Sequence, residues 1–124
     1  MSIIKHHVGW FEIYVNDFEK SKHFYSELFG WKFNQSQSTD SLYWNIYTGE
    51  GSIGGGFMKK TIPEHSGQAV ILYIETDDIG ATLNKVVSLG GSVNTPKTLI
   101  NENAGYFALF YDVDNNVMGL WAKY

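Results

Sequence analysis

The sequence predicts an α+β protein made of two tandem βαβββ modules, and two observations carry that expectation. Residues 10–31 read as one strand running directly into one amphipathic helix. A second copy of the unit follows: Asp17 and Asp78 lie 61 residues apart, and Asp78–Gly91 lies on Asp17–Gly30 without a gap. In that overlay Phe18 meets Ile79, Leu28 meets Leu89 and Gly30 meets Gly91, while Phe11–Val15 ahead of the first helix matches Leu72–Thr76 ahead of the second. Self-similarity at a fixed offset is the mark of a duplicated module.

The elements follow in order. Phe11, Ile13 and Val15 alternate with Glu12 and Tyr14, the period of a strand. Asn16 is the expected helix N-cap with Glu19 as its capping-box partner, and Asp17 and Glu19 suit the positive end of the helix dipole. Phe18, Ser21, Tyr25 and Leu28, flanked by Phe24 and Phe29, form a stripe at helical spacing, and Gly30 closes it in the left-handed conformation. Strands are then expected over 31–34, 42–48 and 52–59, the last containing Gly54-Gly55-Gly56. No helix and no Gly-Lys-Ser or Gly-Lys-Thr follows that triplet, so it reads as a bulge or a close backbone approach and not as a phosphate loop.

Residues 60–67, with Pro63 and Gly67, read as a linker, giving a single domain with module 1 at about 1–59 and module 2 at about 68–124. The second module is expected to hold a strand over 68–76 and a helix over 78–89 with Ile79, Leu83, Val86 and Leu89 inward. A segment over 92–100 comes next, where Pro96 requires an edge or a bulge. A hairpin of 104–112 and 117–124 turns at Asp114-Asn115-Asn116, residue types that tolerate positive φ.

Composition bounds the function. The 124 residues suffice for one packed core. A net charge of −4, with Lys59-Lys60 the one adjacent basic pair, argues against a nucleic-acid partner, since binding a phosphate backbone draws on clustered cations. With no cysteine there is no disulfide, thiolate nucleophile or thiolate ligand. The opening residues lack the apolar core of a signal peptide and no run reaches the length of a membrane span, so no membrane partner and a cytoplasmic address are expected. An aromatic content of 16% on a small chain with open sheet edges predicts a homodimer.

The run Asp17-x-x-x-Ser21-x-x-Phe24-Tyr25-x-x-Leu28-Phe29-Gly30, together with Asp112-Val-Asp-Asn-Asn116, resembles the glyoxalase/bleomycin-resistance/extradiol-dioxygenase (vicinal oxygen chelate) superfamily, and the resemblance covers essentially the whole chain. Gly9-Trp-Phe-Glu-Ile13 and Gly119-Leu-Trp121 look like a glyoxalase-related subgroup. The resemblance implies that the two sheets curl into a half-open barrel around a central cavity. It also implies that metal-dependent members would place ligands at Trp10, Gly56, Ile71 and Gly119. None of these supplies an imidazole, amide or carboxylate, so no metal and no cofactor are expected. The four histidines do not replace them: His6 and His7 are adjacent and face opposite ways on any strand, His23 lies off the helix stripe, and His65 is in the linker.

Alternation places Trp10, Glu12 and Tyr14 on the face away from the helix, and the repeat does the same for Ile71, Tyr73 and Glu75. With Gly119, Trp121, Gly54, Gly56, Met58, Asn45 and Tyr47 these residues would wall an aromatic pocket for a small molecule. The expected ligand-binding set is Trp10, Glu12, Tyr14, Tyr47, Met58, Tyr73 and Trp121. Glu12 among rings is expected to be poorly solvated, its pKa rising from about 4.3 unless a cation or a donor meets it. It would then hold a cationic ligand group or act as a catalytic general base. No motif pairs a Ser or Thr nucleophile with a His. Three functions follow: a metal-independent protein of the bleomycin-resistance type that binds a small aromatic or cationic compound, a metal-free lyase or isomerase using Glu12, or, under a different ligand register, a metal-dependent glyoxalase- or dioxygenase-like enzyme.

Overall fold

The computed structural model describes residues 8, 10–35, 43–60 and 70–124. The linker with Pro63 and Gly67, the histidines His6, His7 and His65, and the expected strand positions 42, 68 and 69 lie outside the described residues. The first module consists of β1 (Phe11–Val15), α1 (Phe18–Phe29), β2 (Lys32–Gln35), β3 (Tyr43–Tyr47) and β4 (Gly55–Lys59). The second consists of β5 (Tyr73–Glu75), α2 (Ile79–Ser88), β6 (Ser92–Asn101), β7 (Gly105–Tyr111) and β8 (Val117–Ala122). Each builds one four-stranded mixed sheet, ordered β1-β4-β3-β2 and β5-β8-β7-β6, and neither closes on itself. β1 runs parallel to β4 and β5 parallel to β8, so the two βαβββ modules carry identical topology, as the repeat predicts. Among the described residues no helix is long and apolar enough to cross a membrane.

The faces follow the alternation. Ile13 and Val15 on β1, Phe57 on β4, and Met118, Leu120 and Ala122 on β8 are buried in one core with Phe24, Tyr25 and Leu28 of α1 and Ile79, Leu83 and Val86 of α2. Each Val, Leu, Ile, Phe or Met among them contributes roughly 1.5–3 kcal/mol by leaving water. Aromatic stacking adds to this in the first module, with Tyr25 on Trp31 at 5.1 Å and Phe33 on Phe57 at 4.8 Å between centroids.

Three local expectations are corrected. The N-cap of α1 is Asp17 and not Asn16: its carboxylate accepts from Lys20 N at 3.1 Å, while the Asn16 N–H is taken by Asp114 Oδ1 at 2.9 Å. Asp78 caps α2 in the same way, accepting from Ala81 N at 3.0 Å, so the repeat aligns the two true caps. After α1 Gly30 is left-handed at φ 74°, but after α2 that role falls to Gly90 at φ 101°. Gly91 is a glycine for another reason, since a Cβ there would lie 2.5 Å from the Tyr111 carbonyl oxygen. Among the described residues, the strand expected over 68–76 contributes Tyr73–Glu75 alone, at the sheet edge, where β8 pairs with it from Gly119 to Trp121. Pro96 sits, as required, on an edge strand between two register shifts, and Asn115 takes φ 65° in the β7–β8 turn.

That turn reaches back into the first module. Asp114 accepts from Asn16 N at 2.9 Å and Ser21 Oγ at 2.6 Å, and Asp112 Oδ2 accepts from Tyr25 Oη at 2.8 Å. Asn116 Nδ2 donates to the Tyr14 carbonyl at 2.8 Å and to Asp112 Oδ2 at 3.0 Å, while Asp112 Oδ1 takes the N–H groups of Asp114 and Asn116 at 2.8 and 2.9 Å. Lys60 Nζ adds a bond to the Asp114 carbonyl at 3.1 Å, and Lys59 Nζ bonds the Asn16 carbonyl. Asp112, Asp114 and Asn116 are buried, and these bonds satisfy them. Burial pushes the Asp112 carboxyl above its ordinary range, opposed by the hydrogen bonds from Asn116 and Tyr25. Burial, reinforced by the Asp112 charge, holds the Tyr25 phenol well above its usual value, so it remains a donor. The two sequence runs that carry the family resemblance therefore meet in a clasp between modules.

Candidate functional site

The face of the first sheet opposite α1 carries a connected polar group. Parallel pairing sets Glu12 beside Gly56 and Tyr14 beside Met58, and β3 brings Tyr43 opposite Met58 and Asn45 opposite Gly56. The Tyr43 ring occupies the space a side chain at residue 56 would fill, since a Cβ on Gly56 would lie 2.2 Å from Tyr43 Oη. Tyr43 Oη accepts from Trp10 Nε1 at 2.8 Å and donates to Glu12 Oε2 at 2.9 Å, so an indole, a phenol and a carboxylate form one chain. Burial raises the Tyr43 pKa, the Trp10 hydrogen bond opposes that, and the Glu12 carboxylate adds to it. The phenol therefore stays protonated at neutral pH and keeps Glu12 oriented.

Trp10 is 50% exposed and Glu12 is exposed, which corrects the expectation of a poorly solvated carboxylate. A donor does meet it, and that donor, Tyr43, is the residue that sequence reading missed. The signal existed: Tyr43 precedes Asn45 and Tyr47 at the strand period, so all three share a face. What alternation alone does not give is the cross-strand register that lays the ring over Gly56. Met58 is half-buried beside Tyr14 and Tyr43, and Tyr47 is exposed further along the same face.

Tyr73 and Trp121 belong to the second sheet. Tyr73 lies opposite Gly119 and covers it, a Cβ there falling 2.4 Å from the ring, while Trp121 lies opposite Glu75 and Phe107 and donates from Nε1 to the Ala104 carbonyl at 2.7 Å. Among the described residues no hydrogen bond or ring contact joins either one to Trp10 or Glu12. The structure thus groups Trp10, Glu12, Tyr14, Tyr47 and Met58 with Tyr43 on one sheet face and leaves Tyr73 and Trp121 on another.

The residues do not fit a divalent ion at the superfamily's ligand positions. The Trp10 indole only donates, Ile71 has no donor atom, and rings fill the space above Gly56 and Gly119. Among the described residues no group of three or more His, Cys, Asp or Glu is placed to hold a metal.

Comparison with known proteins agrees with this architecture. Residues 6–120 match the family described as the Glyoxalase/Bleomycin resistance protein/Dioxygenase superfamily, and the chain belongs to it. CFP32 of Mycobacterium tuberculosis, provisionally named a glyoxylase, is 30% identical over 116 residues, covering 91% of this chain and 44% of CFP32. The chain thus spans less than half the length of that relative. The crystal structure of TnmS3, an antibiotic binding protein from Streptomyces sp. CB03234, superposes with a TM-score of 0.69 at 26% identity and covers 98% of each chain. Hypothetical protein SA1046 from S. aureus gives a TM-score of 0.73 at 22% identity, over 94% of this chain and 97% of that one, and shares the fold.

Proposed function

We infer that the chain is a metal-independent small-molecule-binding protein that holds an aromatic or cationic organic ligand against Trp10, Glu12 and Tyr43. The observation that carries this reading is the Trp10–Tyr43–Glu12 chain on an open sheet face. Its hydrogen bonds fix two rings and one carboxylate relative to each other before any ligand arrives, and such a preorganised surface suits a flat cation. Tyr14, Tyr47 and Met58 extend the surface. The description of TnmS3 as antibiotic binding supports a binding role over a catalytic one. In this reading a second copy of the chain, as a homodimer, covers the apolar area exposed around Trp10, Tyr47 and Tyr73, each 50% exposed or more.

The test begins with a tryptophan-fluorescence screen of aromatic amines and flat heterocycles, followed by affinity and turnover measurements on wild type and Glu12→Gln. A binding protein loses affinity in the variant and turns nothing over. If Glu12 is instead a general base, the variant keeps its affinity and loses a turnover that the wild type shows.

A further inference from the structure

A cleft of about 350 Å³ opens where the modules meet, walled by Phe11, Trp31, Ile53, Leu72, Tyr73 and Ile74 with Glu75 beside them. Its position has a counterpart within the same molecule. Glu12 pairs with Gly56 as its repeat mate Tyr73 pairs with Gly119, a 63-residue offset that carries the clasp residues Asp112, Asp114 and Asn116 onto Gly49, Gly51 and Ile53 of the β3–β4 region. The 61-residue repeat carries their targets Tyr14, Asn16, Ser21 and Tyr25 onto Glu75, Asp77, Thr82 and Val86. At one junction carboxylates and an amide close the contact with buried hydrogen bonds. At the other the equivalents are two glycines and an isoleucine, no such bonds form among the described residues, and Thr82 turns inward to its own helix, bonding the Asp78 carbonyl at 2.8 Å. The cleft is the open counterpart of the clasp.

Its chemistry is specific. The walls are three aromatic side chains, of which Phe11 and Trp31 have ring centroids 6.0 Å apart, and three aliphatic ones. Thr48 and Ser52 at the rim are held by each other at 2.8 Å, and Thr48 also bonds the Ile53 carbonyl at 2.6 Å, so they present fixed neutral dipoles. Glu75 is exposed and, among the described residues, its carboxylate has neither a hydrogen bond nor an ion pair. Among the described residues no basic one lines the cleft. We propose that this cleft is a second binding site, separate from the Trp10–Glu12 face, for an amphipathic organic cation whose apolar body lies against Phe11 and Trp31 and whose ammonium group meets Glu75. A pocket of this volume with apolar walls and one charged group matches the general form of small-ligand sites.

The probe is 2-phenylethylammonium, titrated into the full chain while amide and methyl chemical shifts are followed by NMR. Saturable shifts centred on Ile53, Leu72 and Ile74 are expected, with neutral 2-phenylethanol and the Glu75→Gln variant each weakening the interaction about three- to fivefold, the effect of one partly exposed charge pair. Ile53→Trp, which fills the cleft, should abolish those shifts. Shifts centred on Trp10 and Tyr43 instead, equal binding of the amine and the alcohol, or unaltered binding to Glu75→Gln would each overturn the proposal. Because the two sites report through different residues, the cleft can fail while the function inferred for the Trp10–Glu12 face stands, and the reverse.

Discussion

Asp112 concentrates the fold's polar chemistry in one buried side chain, accepting from Tyr25, Asn116 and two backbone N–H groups. Replacing it with Asn keeps one acceptor oxygen but turns an amide N–H₂ toward the Asn116 donor, so Asp112→Asn should cost about 1–3 kcal/mol in urea denaturation. The pH dependence has a definite sign. Burial raises the folded-state pKa of Asp112, so the folded chain holds a proton that the unfolded chain releases near pH 4. Its contribution to stability is full below about pH 4 and is lost as pH rises through the raised value. Asp112→Asn should therefore show a shallower fall in stability across that window than wild type, and identical slopes would contradict the assignment. This residue also shows what the sequence concealed. Asp112–Asn116 is legible as a hairpin turn from its residue types, whereas its clasp on α1 depends on contacts such as the 87 residues between Tyr25 and Asp112, which no local pattern encodes.

At the scale of elements, patterning was a good guide wherever one face is buried and one is not. The stripe on α1, the alternation on β1 and β8, the edge position of β6 and the left-handed Gly30 all follow from local periodicity and turn chemistry. It misled where two neighbouring residues are both good caps by type. Asn16 and Asp17 both qualify, but it is the Asp17 carboxylate that accepts from the first turn, while the Asn16 backbone N–H goes to Asp114, 98 residues away. Asp17→Ala should thus destabilise the protein by about 1 kcal/mol, the usual cost of a lost cap. Asn16→Ala, which leaves the backbone N–H in place, should cost a few tenths of a kcal/mol at most, since exposed substitutions away from special features are mild. Thermal melts of the two variants compare them directly, and a larger loss in Asn16→Ala would restore Asn16 as the cap. The site shows the same division: alternation placed Trp10, Glu12 and Tyr14 together, while Tyr43 acquired its role only through the β3–β4 register.

For the whole molecule, one duplicated unit supplies two sheets, two junctions and two surfaces that differ in chemistry. One junction is sealed by the clasp and the other is open; one sheet face carries a carboxylate chain and the other a Tyr73 ring over Gly119. If exposed aromatic area brings two copies together, sedimentation at ~100 μM should find a dimer, well above the ~1 μM scale at which an association worth about 8 kcal/mol dissociates, and a monomer there would contradict it. The central claim is that the Trp10–Glu12–Tyr43 face binds an organic ligand without a metal. It is tested most directly by calorimetry of one screening hit on wild type and Glu12→Gln, before and after exhaustive dialysis against a chelator. The same affinity is expected on both sides of the dialysis, and Glu12→Gln should lose about 0.2–1 kcal/mol, the effect of an exposed charge pair. Binding that disappears with the chelator and returns with added metal, or that is untouched by both Glu12→Gln and Trp10→Ala, would contradict it.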